Sequence, residues 1–268
     1  MIQIPSGFDW QHWFHRWERM QERYLVDRAE RFAVMIRMVR ATQSSISRVL
    51  DLGCGPGSLM RQFLEAFPEA QVTGVDLDPM LLLLGRAQLT EFGMRAKLIE
   101  TDLRDSSWLQ LAPGPFDAMV SSTALHWLAP EQLSALYGRV AQVLRPGGIF
   151  LNADHVGSDS SLIQQAWEQH RDEMLATQVT NADDWNSFWD AYAQALGVNR
   201  DEIHRRLEAA YEGGVEQGLS LPWHFHTLKA SGFRFVDCFW RGDCDAVYGG
   251  IFDDGDKTRF THHETRNT

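Results

Sequence analysis

Residues 48–59 constrain the fold more than any other part of the chain. A short apolar run is followed by three glycines at alternate positions, Gly53, Gly55 and Gly57, and then by an amphipathic pattern that begins near Ser58. A strand, a glycine turn and a helix in this order bring backbone N–H groups against a ligand. Glycine suits such a turn because a Cβ would block the ligand or forbid a positive φ. Tight packing between the strand and the helix is the alternative reason for the glycines.

The glycine spacing and one acidic residue indicate the kind of ligand. The spacing is G-x-G-x-G, not the G-x-G-x-x-G of dinucleotide sites. Asp51 lies at the strand end, and a carboxylate there suits an ammonium group better than a pyrophosphate. This stretch resembles motif I of the class I S-adenosylmethionine (SAM) methyltransferases. The resemblance implies that SAM is the cofactor and that its methionine end is held by Asp51 and by the glycine turn, Gly53, Gly55 and Gly57.

From this motif to Ala153 the chain alternates strands and helices five times. Apolar runs bounded by turn residues predict strands at 49–52, 71–78, 95–101, 116–121 and 149–153. This alternation predicts a parallel sheet with helices on both faces and a ligand at the carboxyl ends of the strands. The resemblance adds an antiparallel hairpin of two more strands, 233–241 and 246–252. The expected fold class is α/β, a Rossmann-like methyltransferase fold with a seven-stranded, mostly parallel sheet.

Residues at the ends of the second, third and fourth strands extend the predicted cofactor site. Asp76 follows the glycine turn by about twenty residues, and its two oxygens can accept from both ribose hydroxyls. Asp78 is predicted to cap the next helix, whose first residue is a proline. In the resembled family the position of Asp102 and Leu103 contacts the adenine, although Asp102 taken alone is equally a helix cap or a turn residue. The predicted cofactor-binding residues also include Leu77 and Ser121.

Helical segments flank and interrupt this core. Aromatic and apolar residues at three- and four-residue steps predict helices over 10–25 and 28–39, which make residues 1–45 an N-terminal helical cap. Residues 46–252 form the SAM-binding domain, followed by a polar, mostly disordered tail at 253–268. An insertion at 160–221, between strands five and six, is predicted to carry helices that close over the substrate as a lid. Ordinary helix packing and a dimer face are the alternatives.

The segment Ser121-Ser-Thr-Ala-Leu-His-Trp-Leu128 indicates which class of molecule is expected to accept the methyl group. It is similar to the segment after strand four in small-molecule methyltransferases, notably those that esterify carboxylic acids. His126 and Trp127 both carry N–H donors that can orient a carboxylate, which is already ionised at neutral pH and needs no base. Two alternatives stay open. Either His126, or His155 after strand five, is a base for a hydroxyl or an amine, or these residues are structural.

Charge, cysteine content and hydropathy narrow the function classes. A net charge of −11 disfavours a nucleic-acid binder, which is expected to carry a basic surface. Three cysteines make no even disulfide set, so a reducing cytoplasm is expected. No apolar run of about eighteen residues and no secretory pattern is present, so neither a membrane span nor a signal peptide is expected. His224 and His226 alternate without further ligands, so they are interpreted as structural or pocket-lining and no metal site is expected.

These observations predict a SAM-dependent methyltransferase that acts on a small-molecule acceptor, as a monomer or a homodimer. The runner-up is an enzyme that uses SAM for another reaction, such as a carboxylated-SAM synthase or a SAM-dependent cyclase. A SAM-binding protein without turnover is the third class.

Ligand-induced thermal shifts test the ligand class. SAM or S-adenosylhomocysteine should raise the melting temperature, because a ligand that binds only the native state stabilises it. NAD and NADP should leave the melting temperature unchanged, since the glycine spacing and Asp51 disfavour a pyrophosphate. Stabilisation by a dinucleotide, with none by SAM, would overturn this assignment.

Overall fold

The computed structural model describes residues 4–25, 27–177, 181–201, 203, 205, 207 and 213–253. Seven strands form one sheet: β1 (Arg48–Leu52), β2 (Gln71–Asp76), β3 (Ala96–Glu100), β4 (Phe116–Ser122), β5 (Leu144–His155), β6 (Phe233–Gly242) and β7 (Asp245–Phe252). Their order across the sheet is β3-β2-β1-β4-β5-β7-β6. Strands β1 to β5 pair in parallel, and β7 pairs antiparallel with both β5 and β6. The predicted seven-stranded, mostly parallel sheet and its closing hairpin are confirmed.

The helices lie on both faces of this sheet. They are α1 (Trp10–Tyr24), α2 (Arg28–Thr42), α3 (Ser58–Ala66), α4 (Pro79–Gln88), α5 (Trp108–Leu111), α6 (Pro130–Val143), α7 (Ser161–Ala176), α8 (Trp185–Leu196) and α9 (Leu221–Ala230). Short 3-10 turns occupy Thr90–Arg95 and Leu125–Trp127. Alternate residues of a strand point to opposite faces, and in a sheet covered on both sides both sets are apolar. On β4, Met119 therefore packs with Leu136 of α6, while Val120 packs on the other face with Phe63 of α3.

The strand order reverses between β1 and β4, which both lie at the centre of the sheet. In open α/β sheets the crevice for a ligand forms at the carboxyl ends of the strands beside such a reversal. The glycine turn follows β1 and the 3-10 turn of residues 125–127 follows β4. The two motifs that the sequence analysis identified therefore lie side by side at the carboxyl ends of the central strands.

The predicted start of the fifth strand is wrong for a local reason. The strand begins at Leu144, not at residue 149, because residues 145–148 form an irregularity inside it: Leu144 pairs with Phe116 and Ile149 with Ala118. Gly147 adopts a φ of 81° there, a value that glycine tolerates. The last helix begins at Leu221, with a proline in its first turn. Several residues near the end of the predicted insertion, and the predicted tail beyond residue 253, lie outside the described residues.

An aromatic cluster joins α1 of the N-terminal cap to α8 of the insertion. Trp13 and Trp17 of α1 pack against Phe188 and Tyr192 of α8, with ring centroids 5.1 to 6.1 Å apart. The cluster rests on α4, where the Tyr192 hydroxyl donates to the Met80 carbonyl at 3.1 Å. The cap and the insertion, far apart in the sequence, are therefore one packed unit beside the end of β2.

Polar contacts from an adjacent face of α1 also bind the insertion. Arg16 binds Asp183 through two hydrogen bonds of 2.8 and 2.9 Å across 167 residues of sequence. Arg19 and Arg23 donate to the main-chain carbonyls of residues 181 and 182. The aromatic face and the arginine face of α1 thus both bind the insertion. The proposed motion of the insertion as a lid stays a prediction, and the packing indicates that α1 would move with it.

Phe188→Ala tests how much this cluster stabilises the protein. The Phe188 ring is fully buried, so its removal should lower the free energy of unfolding by about 3–5 kcal/mol, through lost burial and a residual cavity. Chemical denaturation measures this loss. Trp185→Ala on the same helix is the control, because Trp185 is 41% exposed and should cost much less. Equal costs for the two variants would show that the cluster does not hold the cap in place.

Candidate active site

The glycine turn after β1 has the backbone that the sequence predicts. Gly53, Gly55 and Gly57 adopt positive φ values of 68°, 53° and 81°. The N–H groups of Gly53 and Cys54 both donate to the Val75 carbonyl, at 2.9 and 3.0 Å, which fixes the turn to β2. A Cβ on Gly53 would lie 2.5 Å from the Cβ of Ala124, so the turn touches the segment that follows β4. Only glycine permits both this backbone and this approach.

Asp51 is the buried acidic group of the turn. Its side chain is 1% exposed, and among the described residues its Oδ2 atom has no hydrogen-bond partner. Burial, and then the charge of Asp76, raises the pKa of Asp51 well above its ordinary value. A buried carboxyl oxygen without a donor is costly, and a ligand ammonium group would supply the missing donor. The residue therefore fits the amino group of SAM.

Asp76 lies at the end of β2, opposite the glycine turn. Its Oδ2 accepts from the Gly55 N–H at 2.7 Å, and its Oδ1 accepts from the Asp78 N–H at 2.8 Å. Each oxygen keeps a second lone pair, which is compatible with two ribose hydroxyls. Asp78 caps α4, as predicted, by accepting from the Met80 N–H at 2.8 Å. Leu77 lies half-buried between the two aspartates.

On the adenine side of the predicted site, the polar groups already have hydrogen-bond partners within the protein. The Asp102 carboxylate binds the Arg104 guanidinium through bonds of 2.6 to 3.0 Å. Burial raises the pKa of Asp102, but the bonds and charge of Arg104 outweigh it and leave that pKa below its ordinary value. The neighbouring Leu103 carbonyl accepts from Arg139 at 3.1 Å. Ser121 is fully buried, and its hydroxyl donates to the Leu52 carbonyl at 2.7 Å, which ties β4 to β1. Cofactor contact by Asp102, Leu103 and Ser121 stays a prediction.

Asp154, at the carboxyl end of β5, organises the region of the predicted acceptor site. Its Oδ1 lies 2.7 Å from Nδ1 of His126, and its Oδ2 accepts from the N–H groups of Leu125 and His126 at 3.0 and 3.2 Å. Burial raises the pKa of Asp154, but the charge and hydrogen bond of His126, followed by contributions from His155, hold it well below its ordinary range. The ionised carboxylate therefore fixes both the turn after β4 and the proton on Nδ1 of His126.

His155 makes a second pair of the same kind. Its Nδ1 lies 2.8 Å from Oδ1 of Asp245, and the same oxygen accepts from Arg31 at 3.1 Å. Burial lowers the pKa of His155, but the hydrogen bond and charge of Asp245, together with Asp154, raise it above its ordinary value. Sequence reasoning missed Arg31 and Asp245. No local sequence signal indicates Asp245, because the antiparallel register that places it directly opposite His155 is a feature of the tertiary structure.

The two histidines share one small space. Their ring centroids are 4.8 Å apart, and the Trp127 ring, 37% exposed, packs 4.7 Å from His126 on the other side. A cavity of about 10 Å³, enough for one water-sized group, is lined by both histidines together with Asp154, His224 and Tyr248. Because both Nδ1 atoms bind carboxylates, each Nε2 is a donor when the ring is charged and a base when it is neutral.

The end of the insertion covers this cavity. The Val215 N–H donates to the His126 carbonyl at 2.9 Å, and the Gly157 N–H donates to the Leu219 carbonyl at 3.2 Å. We call residues 213–219 the return segment. Its side chains Val215 and Leu219 form part of the apolar wall of the cavity. An acceptor that reaches the histidines must therefore pass or displace this segment.

Comparisons with known proteins identify relatives of several kinds. Residues 49–148 match the family described as a methyltransferase domain. The carboxy-S-adenosyl-L-methionine synthase of Campylobacter lari is 20% identical over 217 residues, 80% of this chain and 80% of that protein. The malonyl-[acyl-carrier protein] O-methyltransferase of Chlorobium phaeovibrioides is 33% identical over 123 residues, 43% of this chain and 44% of that protein. The trans-aconitate 2-methyltransferase of Streptomyces avermitilis is 33% identical over 108 residues, 40% of this chain and 39% of that protein. The match spans less than half the length of these two methyltransferases.

Solved structures share the fold. A SAM-dependent methyltransferase from Clostridium acetobutylicum aligns with a TM-score of 0.59 at 14% identity, over 90% of this chain and 99% of that one. A putative O-methyltransferase from Nostoc punctiforme aligns with a TM-score of 0.56 at 14% identity, over 90% of this chain and 59% of that one. In the described part of the chain, no helix is long and apolar enough to cross a membrane, and no cluster of three or more potential ligands could hold a metal ion.

Asp51→Asn separates stability from cofactor binding. In the folded protein the pKa of Asp51 is raised above 3.8, the ordinary value for an aspartate. The free energy of unfolding of the ligand-free protein therefore decreases as the pH rises from 3.8 towards that raised pKa. The asparagine variant lacks this loss and should melt at a higher temperature at neutral pH. It should also bind SAM about 10–100-fold more weakly, because a charge-assisted hydrogen bond is lost.

Calorimetry and thermal denaturation measure both effects. Asp78→Asn is the matched control: burial, and then the charge of Asp76, raises the pKa of Asp78 to about 7, and asparagine caps a helix as well as aspartate does. The control should keep SAM affinity. Wild-type affinity in the Asp51 variant would remove this residue from the cofactor site.

Proposed function

The chain belongs to the class I SAM-dependent methyltransferases, and from that premise we propose that it transfers the SAM methyl group to the carboxylate oxygen of a small molecule. The pairing of two histidines with two buried aspartates carries this proposal. His126 and His155 direct their Nδ1 atoms to Asp154 and Asp245, and their rings lie 4.8 Å apart at the rim of one cavity. Two imidazole rings this close, each bound through Nδ1 to a carboxylate, can both donate from Nε2–H to one carboxylate when they are protonated.

The charge of the cluster supports an anionic acceptor. It contains one arginine, Arg31, and two aspartates, Asp154 and Asp245. The net charge is one negative while both histidines are neutral, and one positive once both are protonated. The raised pKa of His155 extends the pH range over which its ring carries charge. An anion is therefore attracted by the protonated form and repelled by the neutral one.

The site has a simple chemical task. SAM, when bound, supplies a methyl carbon that its sulfonium makes electrophilic. A carboxylate acceptor attacks without deprotonation, so the protein has to align the reactants and exclude water. Asp154 and Asp245 hold the Nδ1 protons, the Nε2–H groups orient the acceptor, and the return segment covers it. Ala124, which lies two residues before His126, is in contact with Gly53. The proposed acceptor site is therefore beside the glycine turn.

The activities for which these relatives are named support the same acceptor class. One relative is named a trans-aconitate 2-methyltransferase and another a malonyl-[acyl-carrier protein] O-methyltransferase, and both names indicate a carboxylic acid substrate. Synthesis of carboxylated SAM is the second candidate, because the longest of the three reported matches is to a carboxy-S-adenosyl-L-methionine synthase. That reaction would convert SAM without forming a methylated acceptor.

A pH profile with labelled SAM and a panel of small carboxylic acids tests this proposal. The expected product is a base-labile methyl ester, and kcat/KM should fall as the pH rises through the raised pKa of His155, because the neutral ring no longer attracts the anion. Base catalysis on a hydroxyl or an amine predicts the opposite slope. His126→Gln and His155→Gln should lower kcat/KM about 10-fold or more, since each removes one charged donor.

Two controls make the result specific. Trp127→Phe keeps an aromatic ring beside His126 but deletes the indole donor, and it should weaken acceptor use without changing SAM affinity. His170→Gln alters a histidine that pairs with Asp243 on the surface and should keep the wild-type rate. Wild-type rates for the His126 and His155 variants would exclude the proposed acceptor site. Consumption of SAM without any methylated product would favour the second candidate.

A further inference from the structure

A second group of polar side chains is buried directly behind Asp154. Asn152, Tyr137 and Tyr248 are each 0% exposed and His224 is 3% exposed. Tyr137 and Tyr248 belong to a cluster of buried apolar residues, and Asn152 and His224 lie within hydrogen-bond distance of the Tyr248 hydroxyl. Burying four polar side chains is costly unless each finds hydrogen-bond partners, whereas apolar residues of similar shape would carry no such cost. Their presence therefore requires a reason beyond packing.

The hydrogen bonds of this group lead to the acceptor site. The Asn152 amide donates to the Tyr248 hydroxyl at 2.8 Å and to Oδ2 of Asp154 at 3.4 Å. The Tyr248 hydroxyl lies 3.1 Å from Nδ1 of His224 and 3.3 Å from the Tyr137 hydroxyl. The Tyr137 hydroxyl lies 2.8 Å from Nδ1 of His224. We call these four residues the relay, and its last acceptor is the carboxylate that holds His126.

The antiparallel pairing of β5 and β7 fixes the relay in place. Asn152 and Asp154 are two residues apart on β5, so their side chains share one face of the sheet. Tyr248 on β7 lies directly opposite Asn152. The same register puts Asp245 opposite His155. The strand pair therefore carries Asn152, Tyr248 and both aspartates, while Tyr137 and His224 reach it from α6 and α9.

The relay adds hydrogen bonds without adding charge. Burial lowers the pKa of His224 to about 4, so this imidazole is neutral at physiological pH. Burial also raises the pKa of Tyr248 far above its ordinary value, so this phenol stays protonated. The ionised Asp154 is thus approached from behind by a neutral donor whose orientation is fixed. A donor on a carboxylate reduces the negative charge that it presents to its other partner.

We propose that Tyr248 is a positioning residue: its hydroxyl orients the Asn152 amide towards Asp154 and thereby sets how strongly Asp154 holds the Nδ1 proton of His126. The proposal rests on the proposed function only for its consequence in catalysis. Without the Tyr248 hydroxyl, Asn152 loses its shorter hydrogen bond and no longer keeps its donor on Asp154. Asp154 then presents more negative charge to His126, and that ring should hold its proton to a higher pH.

Tyr248→Phe tests the proposal by titrating His126 with NMR of its ring nitrogens, in protein saturated with S-adenosylhomocysteine and without turnover. Several groups lie around this ring. They are Asp154 and His155 on β5, the Trp127 ring, the return segment, His224 and Tyr248 in the cavity, and the Arg31–Asp245 pair behind His155. The midpoint of the His126 titration should rise relative to the wild-type protein, because Asp154 then presents more negative charge to this ring.

Tyr192→Phe is the matched control. It deletes the hydroxyl of an equally buried tyrosine, which donates to the Met80 carbonyl in the α1–α8 cluster, outside the relay. This variant should leave the His126 midpoint unchanged. Asn152→Leu removes the proposed donor itself and should raise the midpoint as Tyr248→Phe does, and the double variant should shift it no further.

The outcomes separate this proposal from the proposed function. A raised midpoint in Tyr248→Phe supports positioning even if no carboxylic acid is methylated, because the titration needs no turnover. A midpoint that is unchanged, lowered or equal to that of Tyr192→Phe overturns positioning even if methyl esters form. If the enzyme does methylate a carboxylate, Tyr248→Phe should change kcat/KM for the acceptor several-fold while SAM affinity stays the same.

Discussion

The ionised carboxylate of Asp154 is the interaction on which the site depends. It is fully buried, and a charge in that position requires several donors. These donors are the N–H groups of Leu125, His126 and His155, the imidazole of His126 and, at a longer distance, the Asn152 amide. Satisfying one carboxylate therefore fixes the turn after β4, the tautomer of one histidine and the backbone of the other. The segment after β4 also contacts Gly53, through Ala124. The buried charge of Asp154 therefore also determines how far the proposed acceptor site lies from the glycine turn.

Asp51 shows the opposite use of a buried carboxyl group. Where Asp154 is surrounded by donors, Asp51 has an oxygen without one among the described residues, and its pKa is displaced upwards rather than downwards. The protein itself supplies all the donors that the Asp154 carboxylate requires. The arrangement at Asp51 leaves a buried oxygen that the ammonium group of SAM would satisfy in the proposed complex, a common form of conflict between stability and function. Two aspartates on strands that flank β4 thus differ in pKa in opposite directions because their environments differ.

The packing of α1 on α8 changes how the flanking segments are understood. The sequence suggests a cap and a separate insertion, yet Arg16 binds Asp183 and the aromatic rings of both helices interdigitate over α4. Glu18 of α1 also accepts from the Ser58 hydroxyl at 2.5 Å, at the start of the helix that follows the glycine turn. The cap is therefore bonded to both the insertion and the cofactor turn. If α1 moves with the insertion, opening of the site would break the contact between Glu18 and Ser58.

The sequence by itself determined the features that depend on near neighbours. The alternation of apolar runs predicted the strands and helices, the three glycines predicted positive φ values, and Asp78 followed by Pro79 predicted the start of α4. Only the tertiary structure decided which polar side chains meet. Arg31, Asp245 and Tyr248 lie far from His126 in the sequence and reach the site through helix packing and the β5–β7 register. Hydrogen bonds between such distant groups leave no local periodicity, and the environment of a buried charge is set by every element packed around it.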